Sequence, residues 1–351
     1  MDTLTHALSG ALIGRATVSR VQTADALPVG RRMFVGFVAA AFPDIDFIAA
    51  YLSPLSYLYY HRGVTHSLLL LPLWAALLAL LFAALWRWRP GWRAYFGVSA
   101  LGLATHIAGD LITSFGTMIF SPVSDARYGL GTTFIIDLWF SGIILVALFA
   151  GALWRRTRAP AVAGVLGLAA YVAFQWLLQQ QAIEFGRAYA NTQGLERAQV
   201  SAQPRPVSPF NWTVIVDDGR SYRYAHVNLV RKTPRPEPTP QMNFFARLDA
   251  AYRPPGDAVW VRVDRFGAPG DARLAHEAYT QPAFRFFRWF AAYPAVLKIE
   301  HDNPGQCVWF HDLRFVTPGR ERTPFRYGMC RDSGGPWQPY QLVGGQRLAV
   351  Y

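Results

Sequence analysis

Four of the eight histidines fall within the first 110 residues, each beside a polar neighbour: Thr5-His6, His61-Arg62, Thr65-His66 and Thr105-His106. Aspartates accompany them at Phe42-Pro43-Asp44-Ile45-Asp46, at Asp110 and at Asp137. The sequence around them is strongly apolar. An Asp at the centre of a membrane helix costs roughly 2.5–3.5 kcal/mol on insertion scales, so these aspartates facing lipid would together cost on the order of 10 kcal/mol. They must face one another, water or a cation. Imidazole with carboxylate and no thiolate suits Zn2+, and Mn2+ or Fe2+ less specifically. His6, Asp44, Asp46, His61, His66, His106 and Asp110 are the candidate ligands. They outnumber the ligands of one ion, which predicts two or more ions, an arrangement suited to phosphoester hydrolysis. An aspartate not used as ligand, Asp46 or Asp137, is the expected general base. Arg62 reads as a phosphate clamp at the rim, or equally as a helix cap or a lipid-headgroup contact. Thr113, Ser114 and Thr117 read as hydrogen-bond partners of the ligands or of neighbouring helices. The bland alternative for the whole cluster is a hydrogen-bonded polar core between helices.

The elements that must position these residues are apolar segments. Ser67–Trp86 is 20 residues without a charge, enough to cross a hydrocarbon core of about 30 Å as a helix. Tyr95–Phe120, Phe134–Trp154 and Ala161–Gln180 are of spanning length too, while Met33–Tyr51 and Leu4–Val18 are weaker. The expectation is a multi-pass α-helical membrane domain of about six helices over residues 1–180. A helical linker at 181–205 and a β-rich (α+β) extracytoplasmic domain at 206–351 follow. Asp2 stands where a basic region would precede a secretory signal, and no cleavage motif follows, so none is expected.

Arg87, Arg89 and Arg93 fill one short loop and Arg155, Arg156 and Arg158 another; Arg15, Arg20, Arg31 and Arg32 mark a third. The positive-inside rule places all three in the cytoplasm, and the loops at about 52–66 and 121–133, with everything after Gln180, outside. On that topology the candidate ligands converge on one external level. His106 and Asp110, at i and i+4, share a helix face there. Trp86, Trp88, Trp92 and Trp154 flank the spans as interfacial anchors. The net charge of +12 reads as topology and attraction to anionic lipid, so no nucleic acid is expected.

Beyond residue 180, Trp212–Val216, Val259–Val263, Ala295–Ile299 and Val308–Phe315 alternate as strands of a small sheet domain, with Phe185–Gln203 a polar helix or linker before them. Cys307 and Cys330 form a disulfide or remain two buried thiols, the compartment favouring the bridge. His301-Asp302 and His311-Asp312 tempt as ligand pairs, but adjacent strand side chains point to opposite faces.

MDTLTHALSG, FPDID, HRGVTHS and HIAGDLITSFGT, in this order and spacing, resemble the YdjM-like family of membrane-bound proteins described as metal-dependent hydrolases. The likeness covers about residues 1–137. More distantly, the ligand order is similar to the helical zinc-dependent phospholipase C and single-strand nuclease superfamily. That resemblance implies His6, Asp44 or Asp46, His66, His106 and Asp110 as ligands. The chain departs from the superfamily pattern in having no histidine between Asp110 and His226. The function these readings predict is a membrane-embedded, externally facing hydrolase acting on a phosphoester of a membrane lipid or lipid-linked envelope precursor, in a bacterial inner membrane. A metal-ion or proton transporter and a non-catalytic scaffold with a structural metal are the alternatives.

Overall fold

The computed structural model describes residues 1–19, 26–237, 239, 241–302, 305–318, 320, 323–332 and 334–350. Arg20, expected to mark a cytoplasmic connection, lies outside the described residues. The chain divides into two units, Met1–Ala49 with Tyr59–Leu177 and Ala50–Leu58 with Leu178–Tyr351.

The first unit is helical. α1 (Thr3–Ala16) begins where Asp2 accepts from the Thr5 backbone N–H, and α2 (Val29–Ala41) tightens at Phe42 into 3-10 turns that continue to Tyr51. Pro43 supplies no N–H to continue the α-helical ladder there. The short α3 (Pro54–Tyr60) falls mostly in the second unit; α4 (Leu71–Leu85), α5 (Trp92–Leu111), α6 (Leu138–Leu153) and α7 (Ala159–Thr192) follow, and α7 runs on into the second unit from Leu178.

Glycines let three of these helices meet backbone to backbone. A Cβ added at Gly36 of α2 would lie 2.1 Å from the Gly10 carbonyl oxygen of α1, and one at Gly14 would lie 2.7 Å from the Arg32 carbonyl oxygen. On α5, a Cβ at Gly102 would lie 2.8 Å from Ala39 Cβ. Without a hydrophobic drive between helices in lipid, such close approach supplies the packing energy. Beside this contact, α4 and α5 bury Leu78, Phe82, Tyr95 and Leu103 together, and α1, α6 and α7 share Leu12, Phe140, Ile144 and Ala161.

The expectation of six spanning helices is corrected. Among the described residues two helices, Val29–Tyr51 and Ala159–Thr192, are long and apolar enough to cross a membrane, and a third counts if Pro54–His66 and Leu71–Leu85, bent by 78°, form one span. The reasons are local. Ser67 Oγ accepts from the Leu69 N–H and donates to the Ser121 carbonyl at 2.6 Å, so the 67–86 segment is not helical until Leu71. The 95–120 segment stops at Leu111, and Thr117 instead pairs with Tyr128 in an isolated β-bridge. Asp137 caps α6, which starts at Leu138 and is 16 residues long. α1 has only 14 residues.

The second unit carries two antiparallel sheets in simple sequential order. One holds β1 (Gln199–Pro204), β2 (Asn211–Asp217), β3 (Ser221–Asn228) and β4 (Val261–Asp264). The other holds β5 (Pro294–Asp302), β6 (Gly305–Asp312), β7 (Tyr327–Arg331), β8 (Gln338–Val343) and β9 (Gln346–Ala349). Three short helices, α8 (Phe244–Ala250), α9 (Ala272–Thr280) and α10 (Arg285–Phe290), complete it. Each expected alternating stretch lies wholly or partly in a strand: Trp212–Val216 in β2, Ala295–Ile299 in β5, Val261–Val263 in β4 and Val308–Asp312 in β6, where Leu313–Phe315 turns away as a 3-10 element. The 181–205 linker is not helical throughout, since α7 ends at Thr192 and residues 199–204 form β1. The last turns of α7 pack on this first sheet, where a Cβ at Gly186 would sit 2.6 Å from both Val200 and Val214. Cys307 and Cys330 face each other across β6 and β7 and are bridged.

Candidate metal centre

Each sequence motif contributes one wall of a buried cluster in the first unit. Asp2 also accepts from Thr5 Oγ1 at 2.6 Å, which fixes the start of α1 and sets His6 one turn in. Gly109 leaves room for that ring: a Cβ there would meet His6 Cε1 at 3.0 Å. The 3-10 turns after α2 present Asp44 and Asp46. The loop 61–66 brings His61, Arg62 and His66, with Arg62 in a left-handed conformation at φ 63°, a strained geometry for a non-glycine residue. Its N–H donates to Asp46 Oδ2 at 2.9 Å and its carbonyl accepts from Met118, so the strain is held by both neighbours.

The proton positions on the two central histidines follow from their partners. His106 Nδ1 lies 2.6 Å from the Ala40 carbonyl oxygen. A carbonyl can only accept, so Nδ1 carries the hydrogen and Nε2 of the neutral ring presents a lone pair. His66 Nδ1 faces the Asp46 carboxylate at 3.2 Å and Thr65 Oγ1 at 3.0 Å. Thr65 spends its own proton on Asp46 Oδ2, so His66 Nδ1 is again the donor and Nε2 the free lone pair. These two Nε2 atoms stand 2.9 Å apart. Two lone pairs at that separation repel unless a proton or a cation lies between them.

Asp110 completes this centre. Its Oδ2 lies 3.2 Å from His66 Nε2 and 3.5 Å from His106 Nε2 and is buried without a hydrogen-bond partner among the described residues. Its Oδ1 is saturated by Arg62 at 2.9 Å, His6 Nε2 at 3.0 Å and the Met1 amino group. The carboxylate is thus divided: one oxygen is neutralised and the other aims at the imidazoles. Asp44 Oδ1 lies 3.6 Å from His106 Nε2 and 3.8 Å from His66 Nε2, and the His6 ring stacks on His106 at 3.7 Å. Two ligand groups result, His6–Asp44–His106 and His66–His106–Asp110, each with its donor atoms within 4.8 Å of one another. Oxygen and nitrogen donors gathered at this range are what a divalent cation with bonds of roughly 2.0–2.2 Å requires.

The remaining candidates have other places. Asp46 is not in either group: its oxygens accept from His61 Nδ1 at 2.9 Å, the Arg62 N–H and Thr65 Oγ1, and it orients His66 from behind. His61 is held by that bond and lies edge-on to His66 and Phe115, again outside both groups. Asp137, one of the two residues expected as general base, is engaged away from both groups. Its Oδ1 accepts from the Trp139 and Phe140 N–H groups, each at 2.9 Å, and Tyr171 donates to its Oδ2 at 2.9 Å. Arg62 corrects the expectation of a rim clamp, because it is 2% exposed and gives its guanidinium to Asp110 and to Thr113 Oγ1. Thr113 therefore serves the arginine, and Thr117 is buried in the β-bridge.

Of the strand histidines, His301 lies in β5 and His311 in β6, and the neighbouring Asp312 is committed to Arg314 and to the Ala292 and Tyr293 N–H groups. Burial, opposed in part by Asp312, pushes the His311 pKa down to about 4.

Sequence reasoning missed the Ala40 carbonyl and the Met1 amino group. It also missed the Gly10-Ala-Leu-Ile-Gly14 pattern, a small-xxx-small signal for close helix approach that was there to be read.

Residues 1–182 match the YdjM inner membrane protein family. The chain is 27% identical over 182 residues to the uncharacterized protein YfhP of Bacillus subtilis (strain 168), a match covering 49% of this chain and 51% of that protein. The chain thus spans about half the length of the curated relative it matches. No solved structure matches. Every residue of the two ligand groups lies within the family match, and the chain belongs to the YdjM inner membrane protein family.

Proposed function

We propose that the chain is a membrane-embedded metal-dependent hydrolase acting on a phosphoester of a lipid or lipid-linked envelope precursor. The observation that carries this reading is the pair of facing imidazole lone pairs, His66 Nε2 and His106 Nε2 at 2.9 Å, with the unpartnered Asp110 Oδ2 beside them. Such a site is electrostatically incomplete until a proton or a cation enters it, and the convergent donors suit a cation. His6, Asp44, His66, His106 and Asp110 would hold it, and nitrogen–oxygen donors without thiolate favour Zn2+. The two groups share the single free nitrogen of His106, so we assign one ion rather than two or more. A bound zinc would supply Lewis acidity toward a phosphoryl oxygen.

The protein's own residues do the rest. Asp46 and the Ala40 carbonyl hold two imidazoles in the tautomer that presents Nε2. Arg62 pairs with Asp110 Oδ1 and leaves Oδ2 to face the imidazoles. Asp44 is the one member of the two groups that is not fully buried, its side chain 13% exposed, and exposed Thr3 donates to its Oδ2 at 2.6 Å. Substrate would approach from this side. The arginine loops support an external position for the site and the second unit, and the cross-strand disulfide supports an oxidising compartment for the latter.

Metal analysis of detergent-purified protein, followed by a panel of phosphomonoesters, phosphodiesters and phospholipids, tests the reading. Near-stoichiometric zinc and a hydrolysis abolished by His106→Ala are expected. Protein free of metal after purification and after zinc addition overturns the site. Burial of His66, His106 and Asp110, each at 0% exposure, favours a second reading, a purely structural ion. Zinc that raises the melting temperature while no ester on the panel is cleaved would select it.

A further inference from the structure

A second built feature lies away from the histidine cluster, where the last turn of α1 meets the connection between α6 and α7. A cavity of about 800 Å3 opens there, lined by Arg15, Arg155, Arg156 and Arg158 and by one face of α7, including Val162 and Leu166. Arg15 is 7% exposed, and Gly151 makes room for it: a Cβ on that glycine would lie 2.7 Å from Arg15 Nε. The guanidinium donates to the carbonyl oxygens of Gly151 at 2.6 Å and of Trp154 and Thr157, each at 3.4 Å, while its Nε has no partner among the described residues. These carbonyls at the end of α6 offer only partial negative charge. Arg158 donates to the Val18 carbonyl at 2.8 Å and Arg155 to that of Ala152 at 3.2 Å. Among the described residues none of the four arginines meets a carboxylate. A buried guanidinium and three further cations around one cavity, with no anion supplied by the described protein, make a site for one from outside.

The surroundings say which anion. Ala163 lines this cavity and also an apolar groove of about 690 Å3 between α6 and α7, formed by residues such as Trp139, Gly142, Val146 and Trp154. Basic charge that passes at one shared residue into an apolar groove matches a phosphate joined to an acyl chain. We propose that this cavity binds the phosphate of an anionic phospholipid, with an acyl chain of the same lipid in the α6–α7 groove. The inference is independent of the metal site.

Native mass spectrometry of the full chain in a neutral detergent, titrated with phosphatidylglycerol, phosphatidylcholine or inorganic phosphate, tests it. Phosphatidylglycerol should be retained at least about tenfold better than phosphatidylcholine. Each surface arginine is worth about fivefold toward an anionic lipid, so Arg155→Gln with Arg156→Gln should weaken retention about 25-fold. Both side chains are exposed, and the melting temperature should not move. Arg87→Gln with Arg89→Gln, a basic pair outside the cavity, is the control and should change nothing. Gly142 has open space where a side chain would go, so Gly142→Leu should block the groove and weaken lipid retention. Equal loss in the control pair would mean diffuse surface attraction and overturns the site. Millimolar phosphate binding as well as the lipid, with Gly142→Leu without effect, would make it a free-anion site and overturns the lipid assignment. So would equal retention of the two lipids.

Discussion

Gly36→Ala is the sharpest probe of how the fold makes the centre. The new methyl would sit 2.1 Å from the Gly10 carbonyl oxygen, whereas carbon–oxygen contacts between helices close to about 3.3 Å. The shortfall is about 1.2 Å, and because both partners are backbone, no side chain can rotate to relieve it. α1 and α2 must part. His6 rides on α1 and Asp44 follows directly on α2, so their donor atoms separate by a similar amount, while a metal site tolerates about 0.2 Å in its bond lengths. We expect zinc affinity to fall at least 10- to 100-fold, the range seen when an orienting partner is lost, and stability to fall by about 1–3 kcal/mol from overpacking. Zinc is measured by competition with a chromophoric chelator, stability by thermal melting in detergent. Gly30→Ala is the matched control on the same helix: nothing lies within 4 Å of its added Cβ, and alanine is favoured over glycine in a helix by up to about 1 kcal/mol. If Gly36→Ala binds zinc as Gly30→Ala does, the approach of α1 to α2 does not set the site and the argument fails.

Further measurements address single groups. Asp46→Asn keeps the shape but removes the charge behind His66, and zinc affinity should drop about 10- to 100-fold with little change in melting temperature; unchanged affinity would remove Asp46 from the site. Arg62→Met leaves the Asp110 charge buried and short of a partner, at a cost of about 3–5 kcal/mol, and adding Asp110→Asn should recover part of that loss in urea denaturation. Replacing Cys307 and Cys330 by serine opens a bridge separated by 23 residues in sequence and should cost about 3 kcal/mol by loop entropy; equal denaturation midpoints with and without reductant would contradict it. In the second unit, burial and then the nearby Arg205 depress His226 from 6.5 to about 3. The unfolded chain therefore binds the proton first, so stability is full above pH 6.5 and declines as the pH falls from there toward 3. Denaturation midpoints of His226→Gln should show a flatter profile over that window.

The clustering was legible because its cost was legible: carboxylates and imidazoles in apolar sequence must find one another, and HxxxD fixes two of them on one helix face. Seven candidates followed from the residues alone, and the family resemblance narrowed them to five positions with Asp44 or Asp46 left open. The sorting of neighbours was not legible, because it is decided by partners far away in sequence. Asp44 and Asp46 are two residues apart and chemically identical, yet one faces His106 and the other is claimed by His61, Arg62 and Thr65. Arg62 could be a clamp or a structural ion partner until Asp110 is seen beside it. The strands that were missed, such as β8 and β9, are short and polar, held by ladder pairing rather than by an apolar face.

The miscounted helices have the same origin as the site itself. Hydropathy sees composition over a window of about 20 residues, whereas the segments here are interrupted by the residues that do the work. Ser67 turns the chain immediately after His66. The α5 helix ends one residue beyond Asp110, where Thr113 bonds back to the Asp110 carbonyl. Phe42–Tyr51 leaves the α-helical geometry where Pro43, Asp44 and Asp46 occur. A continuous α-helix over 29–51 would put Asp44 and Asp46 about 200° apart around the axis. The 3-10 turns instead let one carboxylate face the His66–His106 pair while the other supports His66 from behind. Irregular backbone at membrane depth is tolerated where it is buried in protein, and these three breaks fall beside members of the cluster. The Ser67–Trp86 and Tyr95–Phe120 spans were read too long because polar groups that assemble the centre also bound the helices that deliver them.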